Sequence, residues 1–341
     1  MTGAIVPAST RVVVLRNRPE GDPSPGDFTL EERPLPDLAE GEVLVRNAFM
    51  SVDPSMRGRL GTSEMHYTTN FVVGEPLDGS AIGRVVASRA ADIPVGAAVR
   101  HRLGWRDHAV VAAPNARVVD ERLGSLSTWL GSLGQTGFTA YVGLVRTAEL
   151  RPGDVVFISG AAGAVGSAAG QMARLLGASR VLGSAGGAAK CSHLVERLGF
   201  DDAFDYRSEE ARDALRRLAP DGIDIYFDNV GGEQLAAAVA RMSLGGRVAL
   251  CGQISQFGTA GPAPDLLQAI LKRLTLRGFI VRDHEDLRDE FETRMAGWLR
   301  SGEVRSEETV VEGLDRAVEA FIGMLHGANL GKMLVRLDPD S

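Results

Sequence analysis

From Val155 to Ala173 the chain carries no charge, and four glycines punctuate the stretch, the first three at even spacing. VVFISG ends on Gly160, then Gly163 and Gly166 lead into the helical run AVGSAAGQMARLLGA. About 20 apolar residues would span a membrane, but the glycines, Ser159, Ser167 and Gln171 suit a strand turning sharply into a helix. The unit is the first of a series. SRVLGSAG, DDAFDY, GIDIYFDNVG and GGRVALCG read as strands, separated by the helical runs AKCSHLVERLGF, SEEARDALRRLA and EQLAAAVARM. Repeated strand–helix units predict an α/β fold with a doubly wound parallel sheet.

The residues before this series have another texture. From Arg11 to about Asp120, short apolar or alternating runs such as RVVVLRNRP and GEVLVRNAFMSVDP are broken by Pro and Gly, which predicts a β-rich region. The change falls between Leu126 and Thr136. A chain of 341 residues exceeds what one core usually serves, so two domains are expected, divided at 131/132. Further on, DLRDEFETRMAGWLRSGE and RAVEAFIGMLHG read as helices, GTAGPAPD as a surface loop, and KMLVRL as a last strand able to join either domain.

A glycine turn of this kind directs backbone N–H groups and the positive end of a helix dipole at a pyrophosphate. A structural turn that needs small residues for packing is the alternative. Which dinucleotide fits depends on the end of the second strand, where an Asp or Glu would hold the ribose hydroxyls of NAD. No acidic residue occurs between Asp154 and Glu196. GSAGGAAK instead leaves an uncharged bay followed by Lys190, with Arg174 and Arg180 nearby in sequence. The chain has only three lysines, the others being Lys272 and Lys332. These cations suit a 2′-phosphate, so NADPH is the expected cofactor; an ordinary solvated helix position is the alternative for Lys190.

Other chemistries lack their residues. Positions 1–131 contain no cysteine, so no catalytic zinc is expected, and Cys191 and His193 read as packing residues. Glu307, Glu308 and Glu312 read as a solvated helix face, and His101 and His108 as satisfied or surface positions. The net charge of −7 and the lack of a concentrated basic patch argue against nucleic-acid binding. Two cysteines and no basic-then-apolar leader pattern suit a cytoplasmic protein that does not enter a membrane.

Several strings together carry a family resemblance: SVDPSMRGR, LGWRDHAV, QTGFTAYVGL, SGAAGAVGS, GGAAKC, DGIDIYFDNVGGE, CGQIS, LRGFIV and NLGKMLV. In this order, over nearly the whole chain, they resemble the zinc-free medium-chain reductases, in the branch of prostaglandin reductase/leukotriene dehydrogenase and alkenal or curcumin-type double-bond reductases. The resemblance implies a GroES-like β-rich catalytic domain over 1–131, completed by 313–341, and a Rossmann domain over 132–312. It also implies a homodimer and NADPH-dependent reduction of a C=C bond conjugated to a ketone or aldehyde. Gly163, Ala164, Val165 and Gly166 would hold the pyrophosphate, and Lys190 and Tyr206 the 2′-phosphate. Asn229, Cys251, Ile254, Ser255, Phe279, Val281 and Asn329 would follow the rest of the cofactor, with Met56, Arg57 and Phe257 beside the nicotinamide and substrate. The family commonly has tyrosines where Ser55 and Phe257 stand here, and the second is often placed near the substrate carbonyl.

Hydride delivery to the β-carbon of an enone pushes charge onto the carbonyl oxygen and requires a proton at the α-carbon. Of the four tyrosines, the resemblance commits Tyr206 to the adenosine end, and Tyr226 lies in a buried strand pattern. Tyr67 and Tyr141 are the candidate catalytic tyrosines, with packing the alternative for Tyr141; a cofactor ribose hydroxyl and a water could also serve. Arg59 reads as a structural ion-pair partner. A quinone reductase of the same superfamily and a non-catalytic NADPH-binding protein are the alternative functions.

Overall fold

The computed structural model describes residues 7–63, 67–256 and 261–338. They form two compact units, one ending at Gly131 and resuming at Glu308, the other running from Ser132 to Glu307. In chain order the first unit contributes β1 (Ser9–Leu15), β2 (Phe28–Pro34), β3 (Glu42–Ser51), α1 (Ser55–Arg59), β4 (Ala81–Ser88), β5 (Ala98–His101), β6 (His108–Ala112) and β7 (Arg117–Val118). The second unit holds α2 (Gln135–Val142), β8 (Val155–Ile158), α3 (Ala164–Leu175), β9 (Arg180–Ala185), α4 (Ala188–Leu198), β10 (Asp202–Asp205), α5 (Ala211–Leu218), β11 (Ile223–Asp228), α6 (Gly232–Arg241), β12 (Met242–Leu250), α7 (Leu266–Lys272), β13 (Thr275–Gly278) and α8 (Arg288–Ser301). The chain then returns to the first unit with β14 (Glu308–Glu312), α9 (Ala317–Leu325) and β15 (Lys332–Arg336).

In the first unit, β1 and β2 form an antiparallel pair beside a larger sheet ordered β14-β15-β3-β4-β5-β7, with β6 also on β3. β3 is buried along most of its length, including Val43, Leu44, Val45, Phe49 and Met50, because its neighbours cover both of its edges and the core covers its faces. α9 turns Ala317, Ala320, Phe321 and Met324 inward at helical spacing. Phe321 then meets Phe28 and Trp105 edge-on, at 6.4 and 6.0 Å between ring centres. KMLVRL therefore joins the β unit, antiparallel to β3 and parallel to β14. Glu308 and Glu312 bound a strand, not the helix face read from their spacing: the intervening Thr309, Val310 and Val311 are β formers, and Lys332–Arg336 offers them a ladder. This pairing also draws the chain back into the β unit at 308, ahead of the expected 313.

The second unit is a six-stranded sheet, parallel throughout, in the order β10-β9-β8-β11-β12-β13. Counting its strands from β8, this is the third-second-first-fourth-fifth-sixth order of doubly wound dinucleotide folds. The uncharged run from 155 resolves into β8, the glycine turn and α3, and among the described residues no helix is long and apolar enough to cross a membrane. α7 follows the GTAGPAPD loop in a stretch to which the sequence assigned no element, and β13 falls where it suggested only a motif. α7 starts because Asp265 caps it, accepting from Leu267 N at 3.0 Å.

Candidate functional site

Because all six strands are parallel, their carboxyl ends lie along one edge of the sheet. The order of strands reverses between β8 and β11, which is where such sheets open a crevice for ligands. At the end of β8, Gly160 adopts φ +58, a left-handed conformation that side chains rarely take. Gly163 then caps α3. A Cβ on Gly166 would lie 2.4 Å from Gly160 O and 2.7 Å from Ala161 Cα, so nothing larger than glycine fits. The first turn of α3, Ala164–Val165–Gly166, has N–H groups with no acceptor inside the helix, pointing off its positive end. The residues present fit a pyrophosphate.

β9 ends on Ala185 and runs into Gly186 and Gly187 with no carboxylate of its own. The pairing of Asp205 with Ala185 places the residues after β10 beside it. A Cβ on Gly186 would meet Tyr206 Oη at 2.8 Å and Arg207 Nε at 3.0 Å. Lys190 sits one turn into α4, and its ammonium is disfavoured first by burial and then by the charge of Arg207. Two cations and a phenol thus converge on a glycine floor, the composition a phosphate needs. Asp205 turns inward to the backbone, accepting from Gly187 N at 2.8 Å and Arg207 N at 3.0 Å, which holds its carboxyl below the usual range. Arg207 was not legible in the sequence, because only strand pairing brings it here. Arg174 and Arg180, nearer in sequence, are spent elsewhere: Arg174 pairs with Asp201 at 2.6 Å, and Arg180, at the amino end of β9, with Asp202 at 3.0 Å.

The remaining candidates of this unit also follow β11, β12 and β13 along the same edge. Asn229 Nδ2 donates to Ser159 O at 2.8 Å, fixing it beside the end of β8. Its carbonyl accepts from Ile254 N at 3.4 Å, while Val230 O accepts from Ser255 N at 3.1 Å and Ser255 Oγ at 2.6 Å. The loops at 229–231 and 251–255 are therefore zipped together. Cys251 opens the second of them; burial, then the Asp228 carboxylate, push its thiol up to about 12, so it stays neutral near pH 7. Phe279 follows β13 and packs edge-on against Phe227 at 6.5 Å, with Val281 two residues on. Asn329 belongs to the other unit, where its Nδ2 donates to Gly331 O at 2.7 Å.

The β unit carries the candidates on the substrate side. Lys332 Nζ, on β15, donates to Val52 O and to Asp53 Oδ1, both at 2.8 Å, and Ser51 Oγ donates to Asp53 Oδ2 at 2.6 Å. Burial alone would raise the Asp53 carboxyl, but Lys332 brings it below its ordinary value. This clamp anchors the segment that leads to Ser55 and Met56. Met56 is buried, close enough to Gly79 that a Cβ there would meet its Cε at 2.5 Å. Arg57 Nη2 donates to Gly21 O at 2.6 Å. Arg59 is buried, bidentate on Asp78 at 2.6 and 2.7 Å, and so is structural. His101 is also accounted for: Asn47 Oδ1 lies 2.8 Å from its Nε2, and Leu103 N donates to its Nδ1. Phe257 lies outside the described residues.

The tyrosine hydroxyls divide sharply. That of Tyr141 lies 2.5 Å from Glu290 Oε1 and accepts from Arg294 Nη1 at 2.9 Å, with its buried ring against Phe291. These contacts suit the packing alternative for Tyr141. The Tyr226 hydroxyl is buried on Asp228 at 2.7 Å. Tyr67, by contrast, is 40% exposed on its loop.

A six-stranded parallel sheet with a phosphate-sized glycine turn, in one chain with a β-rich unit, defines a medium-chain type of dinucleotide oxidoreductase fold. Residues 11–119 match the family model of an N-terminal domain of oxidoreductase, and residues 164–299 that of a zinc-binding dehydrogenase. The chain is 36% identical over 335 residues to the NADPH-dependent curcumin reductase of Escherichia coli, covering 96% of each. It is 39% identical to prostaglandin reductase 1 of Mus musculus, covering 94% of this chain and 97% of the relative. The crystal structure of CurA from Vibrio vulnificus in complex with NADPH superimposes with a TM-score of 0.90 at 37% identity, covering 96% of this chain and 99% of that one. The chain belongs to the medium-chain dehydrogenase/reductase superfamily, in the branch of the prostaglandin, curcumin and alkenal reductases. The zinc in the second model's description finds no cradle here: among the described residues no three His, Cys, Asp or Glu side chains come together to hold a metal.

Proposed function

We propose that this NADP-dependent oxidoreductase reduces the C=C bond of α,β-unsaturated ketones and aldehydes. The observation that carries the reading is the carboxyl edge of the sheet. There the glycine turn and the cluster of Lys190, Tyr206 and Arg207 stand ready for a pyrophosphate and a 2′-phosphate, with no acid in the place that would select NAD. When bound, NADPH supplies the hydride for the substrate β-carbon. Gly163 to Gly166 hold the pyrophosphate by backbone N–H groups, and Asn229, Cys251, Ile254, Ser255, Phe279 and Val281 line its course. Met56 and Arg57 shape the substrate side. The proton for the α-carbon is assigned to the Tyr67 phenol, because the hydroxyls of Tyr141 and Tyr226 are bonded within the protein and Tyr206 belongs to the phosphate end.

NADPH oxidation in the presence of short enals, long enones, bulky diarylheptanoids and quinones tests the reading. Saturated aldehydes and ketones should appear as products, with quinones the poorer substrates. NADPH binding without oxidation across the enone panel would leave only a binding protein.

The reading includes a homodimer in which a second copy covers β13 and α7. β13 is an edge strand, and Leu266, Leu267, Ile270 and Leu271 of α7 are all exposed. Light scattering should give twice the chain mass, and an Ile270→Asp/Leu271→Arg variant should give monomers; a wild-type monomer would contradict it.

A further inference from the structure

The functional reading leaves the most deeply buried acid among the described residues unused. Asp228, the last residue of β11, is fully buried. Its Oδ1 accepts from Tyr226 Oη at 2.7 Å, Gly231 N at 2.8 Å and Val230 N at 3.0 Å, and lies 3.3 Å from Ser159 Oγ. Its main-chain oxygen accepts from Cys251 N at 2.9 Å and Gly252 N at 3.0 Å. One residue thereby ties the end of β8, through Ser159, to the turn after β11 and to the turn after β12. Ser159 closes the ring, its hydroxyl accepting from Asn229 N at 3.0 Å and meeting Tyr226 Oη at 2.9 Å. Among the described residues, the second carboxylate oxygen, Oδ2, is buried with no hydrogen-bond partner.

A carboxylate buried in this way is costly unless its bonds do something that an apolar residue cannot. A hydrophobic side chain at 228 would fill the same space, but it would leave the N–H groups of Val230 and Gly231 without an acceptor. Gly231 at φ +74 and Gly232 at φ +54 make that turn conformationally permissive, so it needs an external restraint. We infer that Asp228 is a positioning residue. Its carboxylate fixes the 229–231 turn directly, and that turn, through the main-chain oxygens of Asn229 and Val230, fixes the 251–255 loop, in the one arrangement that presents Asn229 and Ser255 along the cofactor's path. The adenosine end is built separately, from Gly186, Lys190, Tyr206 and Arg207 beyond β9 and β10, and no hydrogen bond of Asp228 reaches it.

The inference rests on the proposed cofactor site, and the experiment separates the two. Binding of NADPH and of 2′,5′-ADP, which carries the 2′-phosphate but no nicotinamide, is measured by titration on wild type, Asp228→Ala and Asp228→Asn, with thermal melting alongside. Wild type should bind both ligands; failure to bind either would sink the cofactor site itself, and Asp228 with it. Asp228→Ala should weaken NADPH about tenfold while 2′,5′-ADP stays within about twofold. Asp228→Asn keeps an oxygen acceptor in the place of Oδ1 and should restore NADPH binding to within about threefold of wild type. NADPH affinity unchanged in Asp228→Ala, or equal losses of both ligands, would overturn the positioning role. Should Asp228→Ala not fold, Ser159→Ala decides: it should weaken NADPH about threefold and spare 2′,5′-ADP, and no change in NADPH binding would refute the network.

Discussion

The carboxyl edge of the parallel sheet and the described residues of the segment from Val52 to Leu77 in the β unit hold their side chains in place with different materials. At the sheet edge, position comes from the backbone. Six parallel strands end together, so every following turn reaches the same crevice, and the turns are bonded to one another at 229–231 and 251–255. In the β-unit loop, position comes from a few long-range side-chain contacts. Lys332 reaches Asp53 across 279 residues of chain, and Arg59 reaches Asp78. A site made of backbone tolerates little change at its glycines but much elsewhere, whereas a site made of side-chain clamps can be re-lined loop by loop while the fold stays the same.

The comparison breaks most visibly at Tyr67. If the exposed loop supplies the proton, Tyr67→Phe should lower kcat/KM for an enal by about a hundredfold or more, with NADPH affinity untouched. Full activity in the variant would pass proton delivery to water. On the sheet side, Gly166→Ala forces a Cβ to 2.4 Å from Gly160 O. Its NADPH dissociation constant should rise by about a hundredfold, or ~2.7 kcal/mol; near-normal binding in titration would mean that the turn does not hold the pyrophosphate. Lys190→Ala and Arg207→Ala should each weaken NADPH by about tenfold and leave NADH alone, whereas Arg174→Ala, whose partner is Asp201, should match wild type in both. A loss on NADPH in the Arg174 variant would put the phosphate bay in the wrong place.

The smallest effect concerns the β unit alone. Burial, then the charge of Arg106, bring the His101 pKa down to about 3, so the folded state keeps it neutral while the unfolded chain protonates near about 6.5. The unfolded state then binds the extra proton throughout that window. Stability should therefore fall as pH drops, by up to about 1.4 kcal/mol per unit from this residue. Urea melts between neutrality and mild acid, on wild type and His101→Gln, should show a shallower pH slope in the variant. Equal slopes would mean that His101 titrates alike in both states.

What could be read in advance follows the same division. The glycine turn, the strand–helix alternation and the missing acid after the second strand are local patterns, and they pointed to the right fold. Arg207 was hidden because it reaches Gly186 only through the pairing of β10 with β9. Asp228 was hidden because a polar residue closing an apolar strand resembles an ordinary turn residue until its partners are seen. β14 was misread because the spacing of Glu307, Glu308 and Glu312 fits a helix face, while the ladder that decides otherwise comes from β15. α7 and β13 are too short to show a period against the loop that precedes them. In the segment after β3, SVDPSMRGR was legible as a motif, but the clamp that holds it was not, since Asp53 and Lys332 meet only in the folded chain.

The central claim is that this edge of the sheet serves NADPH-dependent reduction of an activated alkene. It is tested most directly by running the enzyme on an enone with NADPH carrying deuterium in both positions at C4 of the nicotinamide and locating the label in the product by NMR. Deuterium on the β-carbon of a saturated ketone is the predicted result. Deuterium on the carbonyl carbon of an alcohol, or an unlabelled product, would contradict the account.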